Sequence, residues 1–278
     1  MSLTEGERLK VRSLCALSAD ELLLACGVGG LRALSLHTGQ LVANDLQRID
    51  RVAFDAHTDT LLLLGESKDA HNSVQLVSLR RNAGEWLVMN GFKFINILSQ
   101  PINQINQYIS SFDMAVCDSR VLVLEGYDKS QGDYNQKLFV FDVNAAHTLN
   151  YTVSVQLQAM YYDRLACTRR DGDTLVAFSH ESSVSLHRLA SLQLEQIATS
   201  DELKPHLLLF RGDLLLVADW NPAINKHAIV SFRATGNALT ERRVLLDAQH
   251  SVYVDAWALA GDRLFLWNDG DLHVYDLE

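Results

Sequence analysis

Short apolar stretches that each follow a polar turn recur six times along this 278-residue chain. The six turns open at residues 20, 59, 119, 173, 213 and 262. The steps between them are therefore 39, 60, 54, 40 and 49 residues. Each stretch has the length of a single strand and is bounded by turn-forming residues, as in Asp213-Leu214-Leu215-Leu216-Val217. This pattern predicts six buried β-strands rather than helices.

A second strand follows each of these stretches, and several copies alternate between apolar and polar residues. The second strands span residues 31–36, 74–79, 138–143, 184–189, 228–232 and 272–277. Further strands are predicted before the turns, as at 51–54 and 254–257, and after the second strands, as at 86–89 and 151–155. Four short strands in a repeat of about 40 residues or more are typical of a β-propeller blade. The sequence therefore predicts an all-β, six-bladed propeller that forms a single domain over residues 1–278.

The sequence at the two ends of the chain suggests how the ring of blades closes. The last repeat stops after its third strand at Leu277, and residues 3–10 belong to no repeat of their own. We expect this amino-terminal segment to supply the outer strand of the last blade. Such a strand covers a sheet edge that would otherwise be open to aggregation.

The last repeat resembles the repeats of the WD40 family. Residues 249–252 stand where that family places its Gly-His pair. Residues 268–277 resemble the family's Asp-Gly turn, strand and closing Trp-Asp pair, with Tyr275 in place of tryptophan. Phe141-Asp142 is a second, degenerate copy of the closing pair, and the other repeats depart from it. The resemblance covers nearly the whole chain as a pattern and implies a WD40-like propeller.

Four segments are longer than a bare blade requires. They span residues 66–72, 96–110, 126–136 and 219–226. The resemblance implies that these insertions share one rim, because WD40-like propellers open such connections on the same face. Loops on rigid scaffolds often carry function, so we expect this rim to bind a protein partner. The candidate partner-binding residues in or near the insertions are Tyr127, Asp128, Tyr134, Tyr161, Tyr162 and Trp220.

The aromatic members of this set have two interpretations. Exposed Tyr and Trp rings are typical anchors of protein interfaces, because they offer a large apolar area with few rotamers to restrict. The alternative is that several of the rings pack against neighbouring blades.

The charge balance narrows the choice of partner. Twenty-four lysines and arginines against 34 aspartates and glutamates give a net charge of −10, which argues against direct nucleic-acid binding. The acidic excess indicates either an ordinary solvated surface or a surface that accepts a basic segment of a protein partner.

The sequence contains no recognisable catalytic or metal-binding motif. The four cysteines have no Cys-x-x-Cys spacing, and the ten histidines have no metal-like spacing on one strand. The sequence favours a protein without a metal or cofactor: a non-catalytic interaction scaffold in a multiprotein complex. The alternative is a propeller hydrolase or lactonase with a metal or carboxylate site at the channel mouth. That alternative would require Asp and His side chains to converge there, around Asp113, Asp163 and Asp255 in or near the inner strands.

The location of the protein is an expectation from the same sequence. The first residues have no apolar signal core, and no apolar run approaches the roughly 20 residues that span a bilayer. We therefore expect an intracellular protein, cytoplasmic or nuclear, with no membrane partner.

Overall fold

A computed structural model gives the fold of the described residues. The description covers residues 10–35, 39–42, 46–67, 73–82, 85–96, 112–125, 136–157, 162–191, 193–235, 237–247 and 252–277. All regular secondary structure within these ranges is β-strand, and the strands form six small antiparallel sheets. In this part of the chain no helix has the length and apolar character that a membrane crossing needs. These six sheets are the blades of a six-bladed β-propeller, as the repeats predict.

Each blade is a meander whose strands are hydrogen-bonded in chain order. Blade 1 contains Ser13–Ala16 (β1), Glu21–Ala25 (β2), Leu31–Ser35 (β3) and Gly39–Val42 (β4). Blade 2 contains Leu46–Asp55 (β5), Thr60–Ser67 (β6), Ser73–Asn82 (β7) and Glu85–Asn96 (β8). Blade 3 contains Asp113–Cys117 (β9), Arg120–Leu124 (β10), Lys137–Val143 (β11) and Leu149–Gln156 (β12).

The other three blades follow the same plan. Blade 4 contains Arg164–Arg170 (β13), Asp173–His180 (β14), Ser183–Ala190 (β15) and Gln193–Asp201 (β16). Blade 5 contains Pro205–Arg211 (β17), Leu214–Asn221 (β18), Lys226–Thr235 (β19) and Ala238–Leu246 (β20). Blade 6 contains Ala256–Ala260 (β21), Arg263–Asn268 (β22) and Asp271–Asp276 (β23).

The six apolar stretches of the sequence form the second strands of the blades. These strands carry the most continuous burial; β6, for example, is buried at every position but one. The six segments that follow these stretches in the sequence form the third strands, and residues 27–30 form a tight turn in which Gly27 and Gly30 have positive φ. The predicted order of strands is therefore confirmed.

The described structure divides into two compact units. Unit 1 contains blades 1, 2 and 6 together with residues 142–150, and unit 2 contains most of blade 3 with blades 4 and 5. The expectation of a single domain stays a prediction.

The core of unit 1 lies between facing blades. One cluster joins blade 1 to blade 2 and includes Leu23, Ile49 and Leu61. A second cluster joins blade 1 to blade 6 and includes Leu24 and Trp267. Blade 1 therefore packs against the last blade of the chain on one side and against blade 2 on the other. Residues 3–9, which we expect to complete blade 6, lie outside the described residues.

The core of unit 2 follows the same arrangement. Leu122 and Leu138 of blade 3 share a cluster with Phe178 of blade 4. The opposite face of blade 4 packs on blade 5, where Leu186 and Leu215 belong to one cluster. Burial of apolar area between sheets is the main force that holds neighbouring blades together.

Candidate partner-binding site

The structure makes an extended hairpin of the insertion at residues 219–226. Strand β18 continues to Asn221, the turn covers residues 222–225, and β19 begins at Lys226. Trp220 is therefore a strand residue that pairs directly with His227. Asn225 takes the left-handed conformation at a φ of 54°, which asparagine tolerates better than most residues. The sequence is right about the extra length at this position, but the extra residues lengthen two strands rather than form an open loop.

Four rings meet at this end of blade 5, in unit 2. The ring cluster consists of His206, Trp220, His227 and Tyr253. The centroid of the His227 ring lies 5.0 Å from those of Trp220 and His206 and 5.2 Å from that of Tyr253. Trp220 and Tyr253 meet edge to face at 5.5 Å. At these distances the rings are in direct packing contact.

His227 is the buried centre of the ring cluster. Its exposed fraction is 0%, and its Nδ1 accepts a hydrogen bond of 3.0 Å from the backbone N–H of Val254. Burial, and secondarily the neighbouring His206, lower the pKa of His227 to about 3. The ring is therefore neutral with its proton on Nε2, and Nε2 has no hydrogen-bond partner among the described residues. A buried donor without an acceptor is costly, so the cluster contains an unsatisfied polar group.

Backbone contacts fix the strands that carry these rings. The N–H of Lys204 donates to Oδ1 of Asp219 at 2.7 Å, and the N–H of Trp220 donates to the carbonyl oxygen of Lys204 at 2.9 Å. The three other rings of the cluster are half-buried, and Ile224 in the adjacent turn is 43% exposed. Trp220 is thus held in a fixed position with part of its surface accessible beside an exposed aliphatic side chain.

The described residues include two of the six candidate partner-binding residues, Trp220 and Tyr162. Trp220 lies in the ring cluster. Tyr127, Asp128, Tyr134 and Tyr161 lie outside the described residues, so their role as partner-binding residues stays a prediction.

Tyr162 follows the packing alternative. It is 5% exposed, and its ring packs on Phe178 with 4.6 Å between centroids. The side chain of Gln136 binds both the N–H and the carbonyl oxygen of Tyr162, at 2.8 and 2.9 Å. Burial raises the pKa of Tyr162, and a hydrogen bond with Ser185 opposes that effect. Its ring is therefore packed in the core between blades 3 and 4 and is not available to a partner.

The aspartates of the hydrolase alternative contact backbone groups. Oδ2 of Asp113, a buried residue, accepts a hydrogen bond of 2.8 Å from the N–H of Leu165. In unit 1, Oδ2 of Asp255 accepts one of 3.1 Å from the N–H of Asp269. Asp163 is half-buried, and its N–H donates to the carbonyl oxygen of Ser179 at 3.1 Å. Among the described residues no group of three or more His, Cys, Asp or Glu side chains could hold a metal ion.

A group of charged side chains in unit 1 lies where β5 begins. Asp50 is 1% exposed, and its carboxylate lies 2.9 Å from Nε of Arg48 and 3.2 Å from Nε of Arg12. Arg51 donates to the backbone oxygen of Asp50 at 2.9 Å. Burial lowers the pKa of Arg12, Asp50 opposes this, and Arg48 and Arg51 add to it. These contacts fasten β5 to the chain that enters blade 1.

Sequence reasoning missed His206, His227 and Tyr253. A signal for His227 was available, because a hairpin turn at residues 222–225 places it opposite Trp220. His206 and Tyr253 enter the cluster from other strands and connections, and no local pattern marks them.

Comparison with known proteins shows that other chains share this fold. A putative 6-phosphogluconolactonase from Bacteroides fragilis is 12% identical with a TM-score of 0.59, and the match covers 99% of this chain and 87% of that one. A putative oxidoreductase (glucose dehydrogenase) from Thermus thermophilus is 12% identical with a TM-score of 0.61, over 99% and 98% of the two chains. A chain of the mitotic checkpoint complex is 13% identical with a TM-score of 0.53, over 93% of this chain and 73% of that one. No protein-family model and no curated protein sequence matches the chain.

Proposed function

We propose that the protein is a non-catalytic interaction scaffold that binds a protein partner at the end of blade 5. The observation that carries the proposal is the half-buried Trp220. Its ring packs on the buried ring of His227, and the exposed Ile224 lies in the adjacent turn. A tryptophan held in one position loses little conformational entropy on binding and contributes a large contact area.

The acidic charge of the chain supports a basic segment in the partner, because opposite charge accelerates encounter and favours the correct orientation. The similar chain from the mitotic checkpoint complex comes from an assembly, which supports a role as a complex subunit. The four cysteines are free thiols, which fits an intracellular, reducing compartment.

Comparative capture with matched variants tests the proposal. Trp220→Ala and Ile224→Ser alter the candidate surface, whereas Val244→Ser alters a 58% exposed position on the outer strand of the same blade. Tagged wild-type and variant proteins are expressed in the native cell at equal levels, and the captured proteins are quantified by mass spectrometry.

We expect at least one stoichiometric partner whose recovery falls by about tenfold or more with Trp220→Ala and is unchanged with Val244→Ser. Thermal unfolding of each variant separates loss of binding from loss of fold. Equal recovery of every partner with all three variants would refute this binding surface.

A second candidate is a sugar-lactone hydrolase. Structural similarity to the putative 6-phosphogluconolactonase favours it. Hydrolysis of 6-phosphogluconolactone and gluconolactone, measured with and without divalent cations, distinguishes the two candidates. Turnover above the spontaneous rate that is lost in Asp113→Asn or Asp255→Asn would favour the enzyme, and a rate equal to the spontaneous one would favour the scaffold.

A further inference from the structure

Two of the four free cysteines lie on neighbouring innermost strands of unit 2. Cys117 is the last residue of β9 in blade 3, and Cys167 is the fourth residue of β13 in blade 4. Cys167 is buried and Cys117 is half-buried. Neither cysteine takes part in a disulfide in this structure.

Contacts on both sides of the two cysteines fix the alignment of these strands. Near the beginning of the strands, Oδ2 of Asp113 accepts a hydrogen bond of 2.8 Å from the N–H of Leu165. Near their ends, the guanidinium of Arg169 lies 3.5 Å from the carbonyl oxygen of Asp118. Cys117 precedes Asp118 by one residue and Cys167 precedes Arg169 by two, so both cysteines lie between these two contacts on strands that run side by side.

The side chains confirm that the thiols are neighbours. Cys117 packs against the apolar cluster between blades 3 and 4 that contains Cys167. The pKa of the Cys167 thiol is raised well above its ordinary value, first by burial and then by its interaction with Cys117. The half-buried member of the pair is therefore the one that an oxidant reaches first.

We propose that Cys117 and Cys167 are a two-thiol oxidation site that forms a reversible disulfide bond between blades 3 and 4 when the protein meets a peroxide. The Cys117 thiolate attacks one peroxide oxygen, the O–O bond breaks, and the products are a sulfenic acid at Cys117 and water. The Cys167 sulfur then attacks the sulfenic sulfur, the S–S bond forms, and the departing hydroxyl group takes the Cys167 thiol proton and leaves as a second water. Two thiols and one peroxide thus give one disulfide and two waters.

The other two cysteines provide an internal control. Cys15 belongs to the cluster between blades 1 and 2, whereas Cys26 belongs to the cluster between blades 1 and 6. The two thiols therefore face different sides of blade 1. Burial raises the pKa of Cys15 to about 12 and that of Cys26 to about 11, and neither residue shares its apolar cluster with another cysteine that could resolve an oxidised thiol.

The disulfide closes a covalent loop from residue 117 to residue 167 and joins two blades that otherwise meet only through non-covalent packing. A cross-link across a loop of this length restricts the unfolded chain and stabilises the folded one. We therefore expect the oxidised protein to unfold at a temperature about 5 °C or more above that of the reduced protein.

The test is mass spectrometry of the full-length protein after treatment with hydrogen peroxide at pH 7 and pH 9. We expect a loss of about 2 Da, a non-reduced peptide that joins Cys117 to Cys167, faster formation at pH 9, and reversal by dithiothreitol. Cys15→Ser and Cys26→Ser should behave as the wild type does.

Two variants keep the test decisive. In Cys167→Ala the resolving thiol is absent, so Cys117 should gain one or more oxygens, about 16 Da each, and the linked peptide should disappear. In Cys117→Ser, Cys167 should remain unmodified. Oxygen addition at Cys117 of the wild type without the linked peptide, or no reaction at either cysteine, would overturn the proposal.

Discussion

Asp50 is a single carboxylate among three arginine side chains in unit 1. It is 1% exposed and lies within 3.2 Å of Nε atoms of both Arg12 and Arg48. Removing one partner of a buried ion pair is costly, because the remaining charge stays away from water without compensation. Here the loss would also leave guanidinium groups facing one another.

We expect Asp50→Asn to lower the free energy of unfolding by about 3 kcal/mol. Glu21→Gln is the matched control, because it breaks an exposed Arg81–Glu21 pair and should cost less than about 1 kcal/mol. Urea denaturation at low and high salt measures both variants. Equal effects of the two substitutions would contradict a structural role for Asp50.

The buried histidines of unit 2 make stability depend on pH. Burial lowers the pKa of His187 to about 4 and is also the main reason that the pKa of His227 is about 3. Below the ordinary histidine pKa of about 6.5 the unfolded chain binds protons that the folded chain does not, so stability falls as pH decreases from about 6.5 towards these folded-state values.

We expect each of these histidines to cost about 2 kcal/mol of stability when the pH is lowered from 7 to 5. His187→Gln and His227→Gln should each flatten the pH dependence, whatever they do to stability at pH 7. His57→Gln, at an exposed position, should leave it as steep as in the wild type. Urea denaturation across this pH range is the measurement, and an unchanged slope in both buried variants would contradict the argument.

At the scale of strands, Gly65 marks a close approach between β5 and β6. A Cβ atom at this position would lie 1.9 Å from the carbonyl oxygen of Arg48, so backbone would have to move. Gly30, in the β2–β3 turn, has open space around its Cα but a φ of +74°.

We expect Gly65→Ala to lower the free energy of unfolding by about 2–3 kcal/mol and Gly30→Ala by about 1–2 kcal/mol. The larger loss reflects displacement of backbone, and the smaller one reflects only the cost of a left-handed alanine. Chemical denaturation of the two variants measures the difference. A Gly65→Ala variant as stable as the wild type would show that β5 and β6 can separate locally without cost.

Each blade also has a gradient of burial from its second strand outward. In blade 5, four of the eight residues of β18 are buried and one is exposed, whereas none of the nine residues of β20 is buried and six are exposed. Amide hydrogen exchange should therefore be slowest in β18 and faster in β20, because the outer strand opens locally without disrupting the core. Equal protection of the two strands would contradict this gradient.

The strand order was predictable because each apolar stretch combines a dense run of Leu and Val with a polar turn, as at Asp213–Val217. That local signal recurs in every blade, and the second strands of blades 1 and 4 each contribute to an apolar cluster on both of their faces. The ring cluster was only partly predictable. Trp220 stands out by residue type, but its partners His206 and Tyr253 reach it through contacts between distant segments, which no local pattern encodes.

At the scale of the whole molecule, the last blade bears on whether the amino-terminal segment closes the ring of blades. Blade 6 has three strands among the described residues, where the other blades have four, and it packs directly against blade 1. The expectation that residues 3–10 complete blade 6 places a strand beside β23.

Deletion of residues 2–9 should therefore speed amide exchange in β23 and lower the unfolding temperature by about 5 °C, because the outer edge of β23 would lose its hydrogen-bond partners. Replacement of the same residues by a Gly-Ser segment of equal length should have a similar effect. Unchanged exchange in β23 after the deletion would contradict this closure.

The proposed function is a claim about one surface of the molecule, so a position-specific cross-link tests it most directly. A photoreactive phenylalanine analogue is placed at Ile224, beside Trp220, or at Leu245, on the outer strand β20, and cells are irradiated. We expect a cross-link from position 224 to a discrete protein partner, lost when Trp220→Ala is added, and no such product from position 245. A partner cross-linked from position 245 and absent from position 224 would contradict it.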